Sequence, residues 1–306
     1  MKMRRNPFLI ILVCAIFLLI PSLVAGACPK DDTYINSSTV LSGGFCKIED
    51  KNEDGVLIII SSNIVLDCNN TLFDGGVSKA GYTVTVPCDM GIRNITIKNC
   101  RAVNYFRGAN ICGLKESSIY GNIFTNMSLS GIGMPYGCSN NKITKNILEY
   151  NANEGISFYG SEYNTISENV IKYNGNGIVI KGGNGWGCHH NIIKENEIEN
   201  NRNNGILYDS CKHGIISGNI IKNNSGYGIL FVGDAEADDT TGNEFSSNEK
   251  GDTGFGKTIE TASGGGISGF FIWSQGIPAA IFIIVLILAF VIIKIILPKY
   301  RIQSKR

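Results

Sequence analysis

The sequence predicts an all-β solenoid, a parallel β-helix, followed by a C-terminal transmembrane helix. Three observations predict it. A phrase of the form Asn-x-Ile-x-x-Asn-x-Ile recurs about every 23 residues. Asparagines fall at matching places in successive copies. An apolar run with basic flanks stands at each end of the chain. With 37 Gly against only 7 Pro and 3 His in 306 residues, the composition is odd for a globular domain and directs attention to repeats.

The phrase reads Asn141-Lys142-Ile143-Thr144-Lys145-Asn146-Ile147-Leu148. It returns at Asn164–Ile171, Asn191–Ile198 and Gly214–Ile221, and more weakly at Ser117–Phe124. Its second asparagine sets the register. Asn99, Asn122, Asn146, Asn169, Asn196 and Asn219 are separated by 23, 24, 23, 27 and 23 residues. Five residues after the register position stand Asn104, Asn151, Asn174, Asn201 and Asn224, and a Gly-Ile pair or a relative follows. Each unit therefore holds at least two short β-prone stretches between Asn and Gly turns.

A unit this short, with no helical period, cannot bury its own apolar face. It must stack on its neighbours, at about 4.8 Å per coil, with isoleucines filling the interior. Equivalent asparagines then lie above one another at the corners, where Asn tolerates left-handed backbone and its amide bonds along the stack. A leucine-rich repeat has a similar period, but its Leu-x-x-Leu-x-Leu skeleton is missing.

These phrases, with Gly-Ile-x-Phe after them and the entry phrase Asn63–Leu72, resemble the repeats of the pectin-lyase-like superfamily. The match is to NosD-like and other carbohydrate-binding or sugar-hydrolysing β-helix proteins of archaeal surface type, over roughly residues 54–248. The resemblance implies a single-stranded, right-handed parallel β-helix. It implies much less about activity, because that superfamily includes lyases, hydrolases, adhesins and binding modules.

The termini set the expected location. Basic residues Lys2, Arg4 and Arg5, an apolar run from Phe8 to Val24 and the small residues Ala25-Gly26-Ala27 read as a secretory signal peptide over 1–27. An uncleaved anchor and lipidation of Cys28 are the alternatives. Residues 276–297 are long enough to span ~30 Å of hydrocarbon. The basic tail 298–306 puts the C-terminus in the cytoplasm by the positive-inside rule. A sorting signal removed by a transpeptidase has the same layout. Between the ends, 28–53 reads as an N-terminal cap, 54–249 as the β-helix and 250–275 as a Gly-rich stalk. The expectation is a single-pass cell-membrane protein with its β-helix outside. The near-zero net charge offers no nucleic-acid footprint.

Ten cysteines in an exported chain point to disulfides. Cys28 with Cys46, Cys188 with Cys211 and Cys112 with Cys138 are the expected pairs. Cys68, Cys88 and Cys100 are left over, with one free. His190 and His213 stand six residues before their register asparagines, beside Cys188 and Cys211. That foursome is a candidate site for Zn or Cu, if the thiols are reduced. The NosD resemblance makes copper handling one implied role.

Tyr136, Tyr159 and Trp186 each precede the Cys-or-Ser position by two residues, so a stacked aromatic stripe suited to sugar rings is expected. The insertion Gly182–Gly187 falls beside it, and solenoid insertions gather on the binding face. Asp209 joins these as a candidate ligand contact. Other acidic candidates are Asp31-Asp32, Asp89 and the run Asp234–Asp239, the last a possible Ca site or else a solvated loop. None sits in the acidic patterns of polygalacturonase-type relatives. Asn36, Asn69, Asn94, Asn126 and Asn223 head glycosylation sequons. The leading expectation is a non-catalytic surface module that binds polysaccharide or another surface protein and needs no cofactor. A polysaccharide lyase or glycoside hydrolase is the alternative, and a NosD-like copper accessory protein the third.

Overall fold

The computed structural model describes residues 27–182 and 187–257. The signal segment, Trp186, residues 258–275 of the expected stalk and the expected span lie outside the described residues. Among the described residues no helix is long and apolar enough to cross a membrane.

Every described strand belongs to one of three parallel sheets, of ten, nine and nine strands. The chain visits the sheets in turn, so each strand pairs with its counterpart one coil earlier and one coil later. The ten-stranded sheet runs through Thr33–Ile35, Leu57–Ile59, Tyr82–Val86, Arg107–Ile111, Ser130–Met134, Glu154–Tyr159, Asn176–Lys181, Ile206–Asp209, Tyr227–Val232 and Gly251–Gly256.

Alternation along each strand sends one row of side chains inward, and parallel pairing stacks the rows. Leu66, Ile97, Ile119, Ile143, Ile166, Ile193 and Ile216 form one column. Phe73, Ala102, Phe124, Leu148, Ile171, Ile198 and Ile221 form another. All of them are essentially inaccessible. Each large member contributes about 1.5–3 kcal/mol of apolar burial, which explains why isoleucine dominates the phrase.

Asparagine columns close the corners. Asn122, Asn146, Asn169, Asn196, Asn219 and Asn243 form one, each Nδ2 donating to the next Oδ1 at 2.9–3.0 Å. Asn151, Asn174, Asn201, Asn224 and Asn248 form a second. Asn141, Asn164 and Asn191 form a third. The same Oδ1 also accepts the backbone N–H of the previous rung, as Asn169 does from Asn146 at 2.9 Å. A buried turn that would otherwise strand amides is thereby satisfied.

The left-handed backbone sits one residue earlier than expected. Lys145, Glu168 and Glu195 have φ near 56°, and Gly218 holds that place in the next coil. The residue that turns and the residue that stacks are therefore neighbours in sequence.

That offset corrects the register of the first copies. Ile97 pairs with Ile119, so Cys100, not Asn99, is level with Asn122. Asn99 is a left-handed corner residue, and Asn104 likewise pairs with Asn126 rather than with the buried column. The boundaries at 53 and 249 also move. Residues 33–47 already supply the first strand of all three sheets, and Gly251–Gly256 is the last strand of the long one.

Among the described residues four disulfides join adjacent coils or the N-terminal segment: Cys28–Cys46, Cys68–Cys100, Cys88–Cys112 and Cys188–Cys211. The pairing of Cys112 with Cys138 is overturned. Cys112 bonds Cys88 with their Cα atoms 4.7 Å apart, and Cys138 is the buried free thiol among the described residues. Ser161 fills the neighbouring rung, and its Oγ accepts the Cys138 backbone amide at 3.3 Å. Burial pushes the Cys138 thiol up to about 11. Native protein at pH 8 should therefore resist maleimide, and denatured, unreduced protein lacking the signal segment should take up one equivalent. Rapid labelling of the native fold would contradict this placement.

Candidate functional site

The outer face of the ten-stranded sheet differs from the other outer faces. From Tyr82–Val86 onward its strands run four to six residues, against three in most strands of the other sheets. The extra length makes a broad surface, and small residues give it a floor. Gly133 lies beneath Arg107, where an added Cβ would come 2.7 Å from Arg107 Nε.

Arg107 is the central cation. Its Nε donates to Ser130 Oγ at 3.2 Å and its Nη1 to Asn110 Oδ1 at 2.7 Å. The guanidinium carbon stands 5.7 Å from the Phe106 ring centre. Burial lowers its pKa. Among the described residues no carboxylate lies within ion-pair distance of it. A partly buried guanidinium satisfied only by neutral oxygens keeps its affinity for an anion.

Strand pairing places the other groups. Ser130 pairs with Arg107 on one side and Glu154 on the other, so Glu154 is two coils from Arg107, about 10 Å. Burial pushes the Glu154 carboxyl up to about 7, although Arg107 pulls the other way. Tyr159 ends the same strand, and burial followed by the charge of Glu154 raises its phenol to about 12. Beyond it Lys181 and Asp209 occupy the next two coils and pair at 3.1 Å. Toward the N-terminal end, Tyr82 pairs with Arg107 and opens onto a groove of about 570 Å3 lined by Tyr34, Ile58, Tyr82, Thr85, Pro87 and Asn110. The face thus carries a cation, a carboxyl poised near neutrality, a phenol and aromatic walls.

Of the expected ligand contacts, Tyr159 and Asp209 lie on this face. Asp209 is buried, and Ser210 Oγ donates to it as well. Two members of the expected aromatic stripe are neighbours, since the Tyr136 phenol adds to the rise that burial gives the Tyr159 pKa. Met134 pairs with Phe158 and Tyr159 with Lys181, so Tyr136 lies beyond its strand, exposed. Trp186 lies outside the described residues.

The four-residue metal set is not assembled. Cys188 and Cys211 are bonded to each other and point inward, fully buried. The rings of His190 and His213 stand outside, stacked 5.1 Å apart at 14°. Parallel rings direct their in-plane lone pairs side by side rather than at one ion. His190 also stacks on Tyr163 at 4.7 Å, and Tyr150 stacks on Tyr173 at 4.8 Å. Sequence reasoning missed these ring columns. Their signal was available, since Tyr150, Tyr163, Tyr173 and His190 each immediately precede a ladder asparagine.

The acidic run Asp234–Asp239 does not converge either. Asp234 pairs with Lys212 at 3.0 Å, Asp238 faces His213 at 3.3 Å and Asp239 accepts the Thr241 amide at 2.8 Å. Asp89 is exposed. The asparagines of all five sequons are exposed, and none is a ladder rung.

The comparisons agree with this architecture. The family described as "Right handed beta helix region" matches residues 34–187 and 181–274, most of the chain. The protein belongs to that right-handed β-helix family. No curated protein matches it in sequence. Solved structures share the fold at low identity. The A-module of the Azotobacter vinelandii mannuronan C-5 epimerase AlgE4 is 15% identical, with a TM-score of 0.53, over 78% of this chain and 88% of that one. The AlgE6 A-module is 14% identical, with a TM-score of 0.55, over 77% and 82%. The enzymatically active domain of tailspike protein 2 from bacteriophage CBA120 is 14% identical, with a TM-score of 0.56, over 74% of this chain and 39% of that one.

Proposed function

We propose that the protein is a membrane-anchored extracellular β-helix that binds an anionic polysaccharide along the outer face of its ten-stranded sheet. The observation that carries this reading is Arg107. It is partly buried on an open face, braced by Ser130 and Asn110, and has no carboxylate partner among the described residues. A uronic acid carboxylate supplies the missing anion, and the walls around Tyr82 and Tyr159 supply apolar area for sugar rings. The epimerases that share the fold are named for mannuronan, a chain of this chemistry. The terminal apolar segments support the tethered, external placement.

Binding of polyuronate to Arg107→Ala should fall about tenfold or more, and Arg107→Lys should recover only part of it, because an ammonium lacks the planar fork. Affinity electrophoresis on polyuronate and on a neutral glucan measures both, with circular dichroism to check folding. Unchanged polyuronate binding by folded Arg107→Ala contradicts the proposal.

One observation favours a second reading, chemical modification of the bound uronan. Glu154 has a pKa of about 7 and shares its strand with Tyr159, so a proton acceptor and a phenol face the same sugar track. Incubation with polymannuronate in deuterated water would give deuterium at C5 or an unsaturated end, lost in Glu154→Gln. Binding without either product leaves the non-catalytic reading.

A further inference from the structure

The N-terminal coil brings Asp31, Asp32 and Asp50 together, with one ligand oxygen from each within 4.8 Å of the others. One oxygen of each carboxylate is already fixed. The Lys51 amide donates to Asp31 Oδ2 at 3.1 Å, Asn52 Nδ2 donates to Asp32 Oδ2 at 3.0 Å and the Tyr82 amide donates to Asp50 Oδ2 at 2.8 Å. The Oδ1 atom of all three is buried and meets no donor. Asp50 is only 4% exposed, so water does not satisfy its free oxygen. The amides of Asp54 and Gly55 face the same carboxylate without closing a hydrogen bond to Oδ1. Asp54 adds a fourth carboxyl beside Asp32. Among the described residues no lysine, arginine or histidine pairs with any of the four.

A buried carboxylate such as Asp50 is costly without a cation, and two half-buried carboxylates beside it raise the cost. Three carboxylates this close, each with one oxygen held and the other without a donor, suit a hard cation. We propose that Asp31, Asp32 and Asp50, with Asp54 at the rim, form a Ca2+ site. Oxygen-only donors in irregular array suit Ca2+, which takes ligands at about 2.4 Å in flexible geometry, better than the rigid octahedron of Mg2+. The ion would tie the entering segment to the first coil and, through the Tyr82 amide, to the next. Cys28–Cys46 clamps the same segments covalently. Asp54 and Tyr82 also line the groove beside Arg107, so the ion would stiffen its N-terminal wall.

The test uses the full chain stripped with chelator. Adding Ca2+ at about 1 mM, the range of extracellular sites, should raise the unfolding temperature by several degrees, and equilibrium dialysis should find one ion per chain. Mg2+ at the same concentration should do neither. Asp50→Asn should abolish both responses. Because that buried change could prevent folding, Asp31→Asn serves as the second variant, with Ca2+ affinity about tenfold weaker. Stripped wild-type protein that binds no Ca2+ and shows no shift overturns the proposal, as does Asp31→Asn that binds as wild type.

Discussion

Asn169→Ala is expected to lower the unfolding free energy by about 3–5 kcal/mol, measured as a shift in denaturant midpoint. The side chain of Asn169 makes five hydrogen bonds. Its Oδ1 accepts the Asn146 amide and Asn146 Nδ2, at 2.9 and 3.0 Å. Its Nδ2 donates to Ile143 O, Ser167 O and Asn196 Oδ1. Removing it leaves two donors on one coil unpaired and takes a donor from acceptors on three, all out of reach of water, and each buried orphan costs about 1–3 kcal/mol. The neighbouring Glu168→Gly gives the contrast. Glu168 is exposed with φ 57°, so glycine relieves left-handed strain and stability should stay within about 1 kcal/mol. Equal effects at 168 and 169 would mean that the column does not carry the corner.

The second large effect concerns pH and Glu154. Its carboxyl is raised in the folded state from 4.5 to about 7, by burial. The folded protein therefore holds this proton more tightly than the unfolded chain does. Stability from it is complete below the unfolded pKa, falls as pH rises from about 4.5 to 7, and is flat above, a loss of about 3 kcal/mol in all. Glu154→Gln keeps the shape and removes the titration. It should flatten the stability profile across this window and make the variant more stable than wild type at pH 8. Polyuronate binding should weaken as pH rises through about 7 and above in wild type, because ionised Glu154 repels the ligand, and should not in Glu154→Gln. An unchanged profile in the variant would place the raised carboxyl elsewhere.

The sequence made the coil legible because two constraints act at fixed spacing. Interior columns demand an apolar residue once per strand, and corner columns demand an amide once per turn. Ile143, Ile166 and Ile193, and Asn146, Asn169 and Asn196, satisfy both in step. The reading slipped where another device met the corner's need. Cys68–Cys100 holds two rungs of the column, and the asparagine beside it, Asn99, is the left-handed residue, one place off. The pairing of Cys112 went astray for a related reason. Cys138 and Cys112 are close in coil position, but Cys88 lies one coil before Cys112 and binds it.

The site was less legible. Tyr159 and Asp209 were visible as unusual residues near an insertion. Arg107, Ser130 and Glu154 were not, since they carry no motif and meet only because Arg107 pairs with Ser130 and Ser130 with Glu154. A corner register cannot show which outward residues a long strand leaves half-buried. The His and Cys cluster misled for the opposite reason. Neighbours in sequence at a corner face opposite ways, so Cys188 turns inward while His190 stays outside.

Hydrogen–deuterium exchange with and without polyuronate tests the central claim most directly. If the outer face of the ten-stranded sheet is the binding surface, saturating ligand should slow exchange around Arg107–Ile111, Ser130–Met134 and Glu154–Tyr159. The corner that bears Tyr163, His190 and His213 should be unchanged. Protection confined to that ring column, with the Arg107 strands unaffected, would contradict the account.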